Sequence, residues 1–368
     1  MKVKTAGALI ILVFLSGCLP TSVIDDILMV EAEGYDYIGD GKVLGTATMP
    51  NYVESGNQGG QGAGLPSTAA MMSSVSGVTY DSKSLIDKFQ SKGQRPLRLG
   101  KVRIMIFNKR MARHGLKKEL DFRNRDPETG RDMQLAVVDG STNKLLTAQY
   151  QTTIPVSRYL TDMIDQNQEQ NYPKSNLHQV LYSYYGNYMD PFMPMIRKEG
   201  MHLEMRGIAL FRNDKYVMTL PEKNVFLFKM LFEKFNQGVY DYQYSPGKHV
   251  VIRNVYSTVS YKVRNGNGAE PEIFAKVRLM GDVRQSAPHL LKKDYHTKVE
   301  KGMERDIEER AFKMVEMFQK KRIDPLRLGD LVRSYTRQFD GASWDERYPH
   351  AHFHCSVHVN IMEMGVSQ

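Results

Sequence analysis

Apolar residues recur at two spacings along this chain, and the changes from one to the other mark out its elements. Ser84 to Lys92 has a helical period, and Val102 to Phe107 (VRIMIF) is a short run rich in branched residues that suits a buried strand. Lys109 to Leu120 again reads as helix and Met133 to Asp139 (MQLAVVD) as strand, so residues 84–139 alternate as a crossover unit does. A helix is expected after Pro155-Val156 with Ser157 as its N-cap, and another after Ser175, where Leu177, Val180, Leu181 and Tyr184 share one face. The glycine-rich stretch 56–64 (GNQGGQGAG), with small polar residues to Gly77, has no period and reads as a mobile loop, equally able to hold a short strand.

Alternation by two dominates the second half. Leu203 to Phe211, the turn Asn213-Asp214-Lys215 and Tyr216 to Leu220 predict a hairpin, followed by an apolar helix from Pro221 to Gly238. Val255, Ser257, Val259, Tyr261 and Val263 face one way, Asn265 to Gly268 turn the chain, and Ile273, Ala275, Val277 and Leu279 form the inward face of the returning strand. Ile307, Ala311, Met314, Val315 and Phe318 give a helix one apolar side, and Leu326 to Gln338 is a shorter helix. Phe353, Cys355, Val357, Val359 and Ile361 alternate in a final strand. The expected fold is α+β and multi-domain, with mixed and antiparallel sheets packed by helices.

At 368 residues and 42.1 kDa the chain has room for two or three domains. Its 41% hydrophobic and 25% charged residues exclude collagenous, low-complexity and wholly disordered chains, and two cysteines exclude a disulfide scaffold. The net charge of +9 favours anionic surfaces, either lipid headgroups or an acidic partner. No run of five or six basic residues marks a nucleic-acid patch, so no nucleic-acid partner is expected.

The first residues read as an address. Lys2 and Lys4 precede an apolar core, Ala6 to Leu15, too short for a membrane span of about 20 residues, and Leu15-Ser16-Gly17-Cys18 follows directly. This tetrapeptide has the form of a bacterial lipobox: residues 1–17 are expected to be removed as a signal peptide and the Cys18 thiol to carry a diacylglyceryl group. Two or more acyl chains give stable anchoring where one gives marginal binding. With Cys18 acylated, Cys355 stands alone and no internal disulfide forms.

Catalytic signatures are absent: no GxSxG elbow, HExxH, phosphate-binding loop or Rossmann fingerprint occurs. Adjacent carboxylates such as Asp25-Asp26 and Glu308-Glu309 do not converge as an acid and base would, and read as solvated. His350, His352, His354 and His358 are all even-numbered and are expected on one face of the last strand, where two could share a metal. Without a carboxylate or cysteine converging on them, a solvated face is the preferred reading. The tyrosines at 172, 182, 184, 185 and 188 read as core and rim packing. No catalytic residue, metal or cofactor is expected.

The lipobox and several later motifs resemble the Ger(x)C family, the lipoprotein C subunit of spore nutrient germinant receptors. They are Glu33-Gly34-Tyr35-Asp36 with Ile38; Tyr172-Pro173-Lys174-Ser175-Asn176-Leu177-His178 with Tyr182; Asp190-Pro191-Phe192 with Pro194; and Gly207-Ile208-Ala209-Leu210-Phe211 with Asp214-Lys215. The last are Asp324-Pro325-Leu326-Arg327-Leu328-Gly329 and the lone Trp344. Arg327 departs from the DPLGLG-like pattern of the family turn. Asp324 is expected to cap that turn, Gly329 to permit an unusual backbone angle and Trp344 to plug a core. The resemblance implies a non-enzymatic subunit, anchored through Cys18 on the outer face of the spore inner membrane and working with integral A and B subunits. It implies an N-terminal region at 18–198 and a C-terminal region at 199–368, which can divide further into 199–248 and 249–368. A competing class, a solute-binding lipoprotein delivering a small ligand to a transporter, predicts two similar lobes around a cleft.

Overall fold

The computed structural model describes residues 27–50, 72–80, 82–283 and 293–363. The signal segment, Cys18 and most of the glycine-rich stretch fall outside them. The first half is built on β1 (Leu28–Met29), β2 (Ala32–Gly39), β3 (Lys42–Pro50), β4 (Met72–Thr79), α1 (Ser82–Gln90), β5 (Leu97–Arg98) and β6 (Ile104–Asn108). Next come α2 (Lys109–His114), α3 (Lys117–Arg125), β7 (Gln134–Val138), α4 (Thr142–Leu146), α5 (Val156–Glu169), α6 (Leu177–Tyr185) and β8 (Phe192–Glu199). The second half holds β9 (His202–Arg212), β10 (Lys215–Pro221), α7 (Val225–Phe232), β11 (Tyr240–Ser245), β12 (Lys248–Arg264) and β13 (Glu272–Val283). It closes with α8 (Lys293–Lys321), α9 (Leu328–Tyr335), α10 (Trp344–Arg347) and β14 (His352–Glu363).

Eight strands form one mixed sheet in the order β10-β9-β8-β7-β6-β2-β3-β4, in which β2, β6, β7 and β8 run parallel and the flanking strands antiparallel. Strands buried on both faces read as continuous apolar runs, and β6 (IMIFN) and β7 (QLAVV) are of this kind. Ile104, Ile106, Ala136 and Val138 face α4 and α5 on one side; Met105, Phe107, Leu135 and Val137 face α1, α2, α3 and α6 on the other. The helix expected over 109–120 is two: Gly115, at φ +124°, ends α2. Residues 72–79, left open between loop and strand by the sequence, are β4. The expected boundary at 198/199 falls within the last residues of β8, just ahead of its turn to the paired neighbour β9, so one sheet draws on both sides of it.

A second sheet, in the order β11-β12-β13-β14, buries one face only. Along β12 the buried positions change parity, from Val250 and Ile252 to Val255 and Ser257. Asn254, at φ +51°, sits in the register shift between Arg253 and Tyr256 and absorbs the extra residue, so both halves of the strand keep their apolar side inward. α8 covers that side with Ile307, Ala311, Met314, Val315 and Phe318, as the period predicts. α7 is buried from Val225 to Met230 and through Leu231, and joins the core under the first sheet to that under the second in one cluster. It is shorter than the helix expected to reach Gly238.

Candidate functional site

Of the four histidines, His352, His354 and His358 lie on the exposed face of β14, whereas His350 belongs to the 3-10 turn (Tyr348–His350) before it; the expectation of four on one strand face is corrected to three. They do not converge. His352 meets Glu270 at 3.2 Å, the His354 ring stacks on Phe274 at 4.7 Å and His358 meets Glu304 at 3.2 Å. Among the described residues no three His, Cys, Asp or Glu side chains are grouped to hold a metal. Burial pushes the Cys355 thiol up to about 12, so it is held as the unreactive thiol.

The motifs of the middle and end of the chain do converge. Asp190 accepts the N–H of Asn213 at 2.7 Å and, through its other oxygen, the N–H of Asp324 at 2.8 Å, while its own N–H donates to the Asp324 carbonyl at 2.9 Å. Asp324 accepts the N–H groups of Leu328 and Gly329 at 2.9 and 2.7 Å, capping the turn as expected and, beyond that expectation, satisfying the first two amides of α9 although Arg327 holds the N-cap position. Burial raises both carboxyls, Asp324 to about 7. This knot ties the turn before β8 and the β9–β10 hairpin to the segment that follows α8.

Gly329 works differently from the expectation. The left-handed angle falls on Arg327, at φ +59°, the residue that departs from the family turn. Its guanidinium stacks over Phe232 at 4.3 Å and Tyr182 at 5.3 Å and donates to Gln179 at 2.9 Å. Gly329 is required for space: a Cβ there would lie 2.3 Å from Trp344 Nε1 and 2.7 Å from Tyr188 Cβ. Trp344 is 2% exposed and does plug the core beside it.

Other motif residues are structural as well. Asn176, and not Ser175, caps α6 by accepting from Gln179; Ser175 donates to the Phe192 carbonyl. Ser157 lies inside α5 and donates to Glu31 at 2.6 Å. Glu33 forms a buried ion pair with Arg123 and accepts from Tyr35 at 2.9 Å; Asp36 accepts from Ser141, Thr142 and Asn143 at the start of α4. Tyr172 is buried and accepts the Gly207 N–H, whereas Tyr182 and Tyr185 stand about half exposed.

Two arrangements escaped the sequence reading. Glu300, Glu304 and Glu308 of α8 accept the N–H groups of Ile361, Val359 and Val357 on the open edge of β14, at 2.9, 3.1 and 2.8 Å. Four helical residues rise about 6 Å and two strand residues about 6.7 Å, so an i, i+4, i+8 series keeps pace with alternate amides. Glu308 is therefore engaged and not solvated. The second is Lys229, buried in α7, whose ammonium donates to the carbonyls of Gln168 and Gln170 at the end of α5; burial lowers it to about 8.

A groove of about 1090 Å³ runs beside Tyr240, Tyr242 and α8. Its central cation, Arg310, is already engaged by Tyr240, Asp306, Lys223 and Asn224. The two sheets differ in size and topology and share one core, unlike the similar lobes of a solute-binding protein. Among the described residues no helix is long and apolar enough to cross a membrane.

A family model described as the spore germination protein N-terminal domain matches residues 21–198, and one described as spore germination B3/GerAC like, C-terminal, matches 206–365. Spore germination protein GerQC of Bacillus cereus is 31% identical over 365 residues, 98% of each chain. YfkR of Bacillus subtilis (strain 168) is 22% identical over 397 residues, covering 99% of this chain and 97% of its own. The crystal structure of the GerBC protein superposes with a TM-score of 0.55 at 15% identity, covering 87% of this chain and 94% of that one, a likeness of fold.

Proposed function

The chain belongs to the Ger(x)C family of spore germination proteins, and from that premise we propose that it is the non-catalytic lipoprotein subunit of a nutrient germinant receptor. In this reading Cys18 carries the lipid, the body stands on the outer face of the spore inner membrane, and it assembles with integral A and B subunits that receive the nutrient. The observation that carries the reading is the end-to-end similarity to GerQC. What further supports it is the use made of the motif residues: Asp190, Asp324, Gly329 and Trp344 are engaged in holding the body rigid, leaving its surface for assembly. The two family regions, 18–198 and 199–368, act here as one unit, since a single sheet takes strands from both.

Replacing Cys18 with Ala in the sporulating host tests the reading. Dipicolinate release is followed after a nutrient trigger and after an alkylamine trigger that bypasses receptors. Selective loss of the nutrient response is expected. Equal responses, with the variant present and unacylated, would overturn the anchored-subunit assignment.

A further inference from the structure

Positive charge is not spread evenly. Between Asp87 and Glu119 the chain has eleven lysines and arginines and no aspartate or glutamate, so this stretch alone exceeds the +9 of the whole protein. The structure pairs Arg103 with Glu31 and Lys109 with Asp139 and places seven of the others in two groups at opposite ends of the buried strand β6. Arg110, Arg113, Lys117 and Lys118 lie exposed on α2 and α3 beyond its C-terminal end. Arg95, Arg98 and Lys101 lie exposed on and around β5, ahead of its start. Lys88 and Lys92 are spent within the fold, donating to the Val78 and Ser76 carbonyls of β4.

The β5 group sits where the chain enters the fold. β5 pairs in parallel with β1, Met29 opposite Arg98; Leu28 N–H donates to the Pro96 carbonyl at 2.9 Å and Val30 N–H to the Arg98 carbonyl at 3.0 Å. Arg95 therefore lies at the same end of the strand pair as residue 27. Leu28 follows Cys18 by ten residues, which span at most about 35 Å when extended. None of the ion pairs found among the described residues engages Arg98 or Lys101, whereas several cations of α8 are paired: Lys301 with Glu304, Arg310 with Asp306, Lys313 with Glu309. An acyl anchor at Cys18 holds this basic rim close to headgroups, where even weak attraction counts because the encounter is intramolecular.

We propose that Arg95, Arg98 and Lys101 form a surface that seats the first sheet against anionic phospholipid headgroups, fixing the orientation of the body on the bilayer. The proposal rests on Cys18 being the anchor, and the two are separable: metabolic labelling with palmitate reads the anchor, and vesicle binding by the unacylated protein reads the surface. The chain beginning at position 18 with Cys18→Ser is sedimented with vesicles of phosphatidylglycerol mixed with phosphatidylcholine, and with vesicles of phosphatidylcholine alone. Binding to the anionic vesicles only, reversed by salt, is expected. At about fivefold per charge near such a surface, R98Q alone weakens it about fivefold and R95Q/R98Q/K101Q on the order of a hundredfold, with the fluorescence of Trp344 unchanged. R110Q/R113Q/K118Q, an equal loss of charge at the other end of β6, leaves most binding in place. Equal binding to neutral vesicles, equal losses in the two triple variants, or equally tight capture by a short DNA duplex would overturn the proposal.

Discussion

The carboxylate of Glu304 and the backbone N–H of Val359 meet at 3.1 Å across the gap between α8 and the last strand. Glu300 and Glu308 repeat the contact one helical turn away on either side, so the edge of the second sheet is closed by side chains where another strand would close it. Exposed edges template pairing with other chains, and a row of carboxylates removes that opportunity.

Truncating this row should both weaken and unmask the edge. Glu304→Ala is expected to cost about 1–3 kcal/mol at neutral pH, the penalty of a buried amide left without its acceptor. Although burial raises the Glu304 carboxyl, Lys301 and the Val359 N–H outweigh it and hold the group below its ordinary value. A depressed carboxyl stabilises the fold above its unfolded pKa and loses that contribution as pH falls through the folded one. The difference in melting temperature between wild type and variant should therefore be full at neutral pH and shrink below about pH 4. With all three glutamates replaced by alanine, light scattering should report association through β14.

Asp324 has the opposite sign. Its carboxyl is raised by burial to about 7, so the folded state binds a proton that the unfolded chain, near 3.9, has released. Stability from this group is present below about pH 4 and is lost as pH rises toward 7, a slope of about 1.4 kcal/mol per pH unit at most. Asp324→Asn should flatten that slope in melting curves taken across the range. Asp324→Ala should cost about 1–2 kcal/mol more, since it uncaps α9.

Gly329→Ala tests the close approach to Trp344. A methyl placed 2.3 Å from the indole nitrogen must displace the ring, with a cost of about 1–3 kcal/mol. Trp344 is the chain's one tryptophan, so its emission should shift to the red in the variant and report this junction alone. An unchanged spectrum and midpoint would mean that the ring yields without cost.

The buried pair of Glu33 and Arg123 gives a fourth test. Arg123 is 1% and Glu33 2% exposed, and removing one charge strands the other. Arg123→Met should cost about 3–5 kcal/mol by denaturant unfolding, and the double change Glu33→Met with Arg123→Met should recover much of it.

Periodicity was enough to place β13, α8 and β14 because each buries one regular face, and a face is what a period encodes; β6 and β7, buried on both faces, were legible instead as short unbroken apolar runs. It misjudged α7, where Glu233 onward leaves the helix, and the 109–120 segment, where a single φ at Gly115 splits one helix into two. The bulge at Asn254 was invisible for a related reason: one residue held in a left-handed turn repairs a parity change that looks, in the sequence, like noise. The Asp190–Asp324 knot joins residues more than a hundred positions apart through backbone amides, and amides carry no sequence signature. The glutamate row had a signal, acids four apart on a helix facing amides two apart on a strand. It requires knowing that α8 lies along the edge of β14.

α7 is buried along most of its length, and its apolar side chains belong to the cores of both sheets, while Lys229 fastens it to the end of α5. Such a helix works as a rivet. A displacement imposed at one sheet should be carried to the other, because the side chains of α7 pack in the one core that serves both. In a receptor, this subunit would behave as a stiff lever: contacts made far from the bilayer and those made beside it move together or not at all.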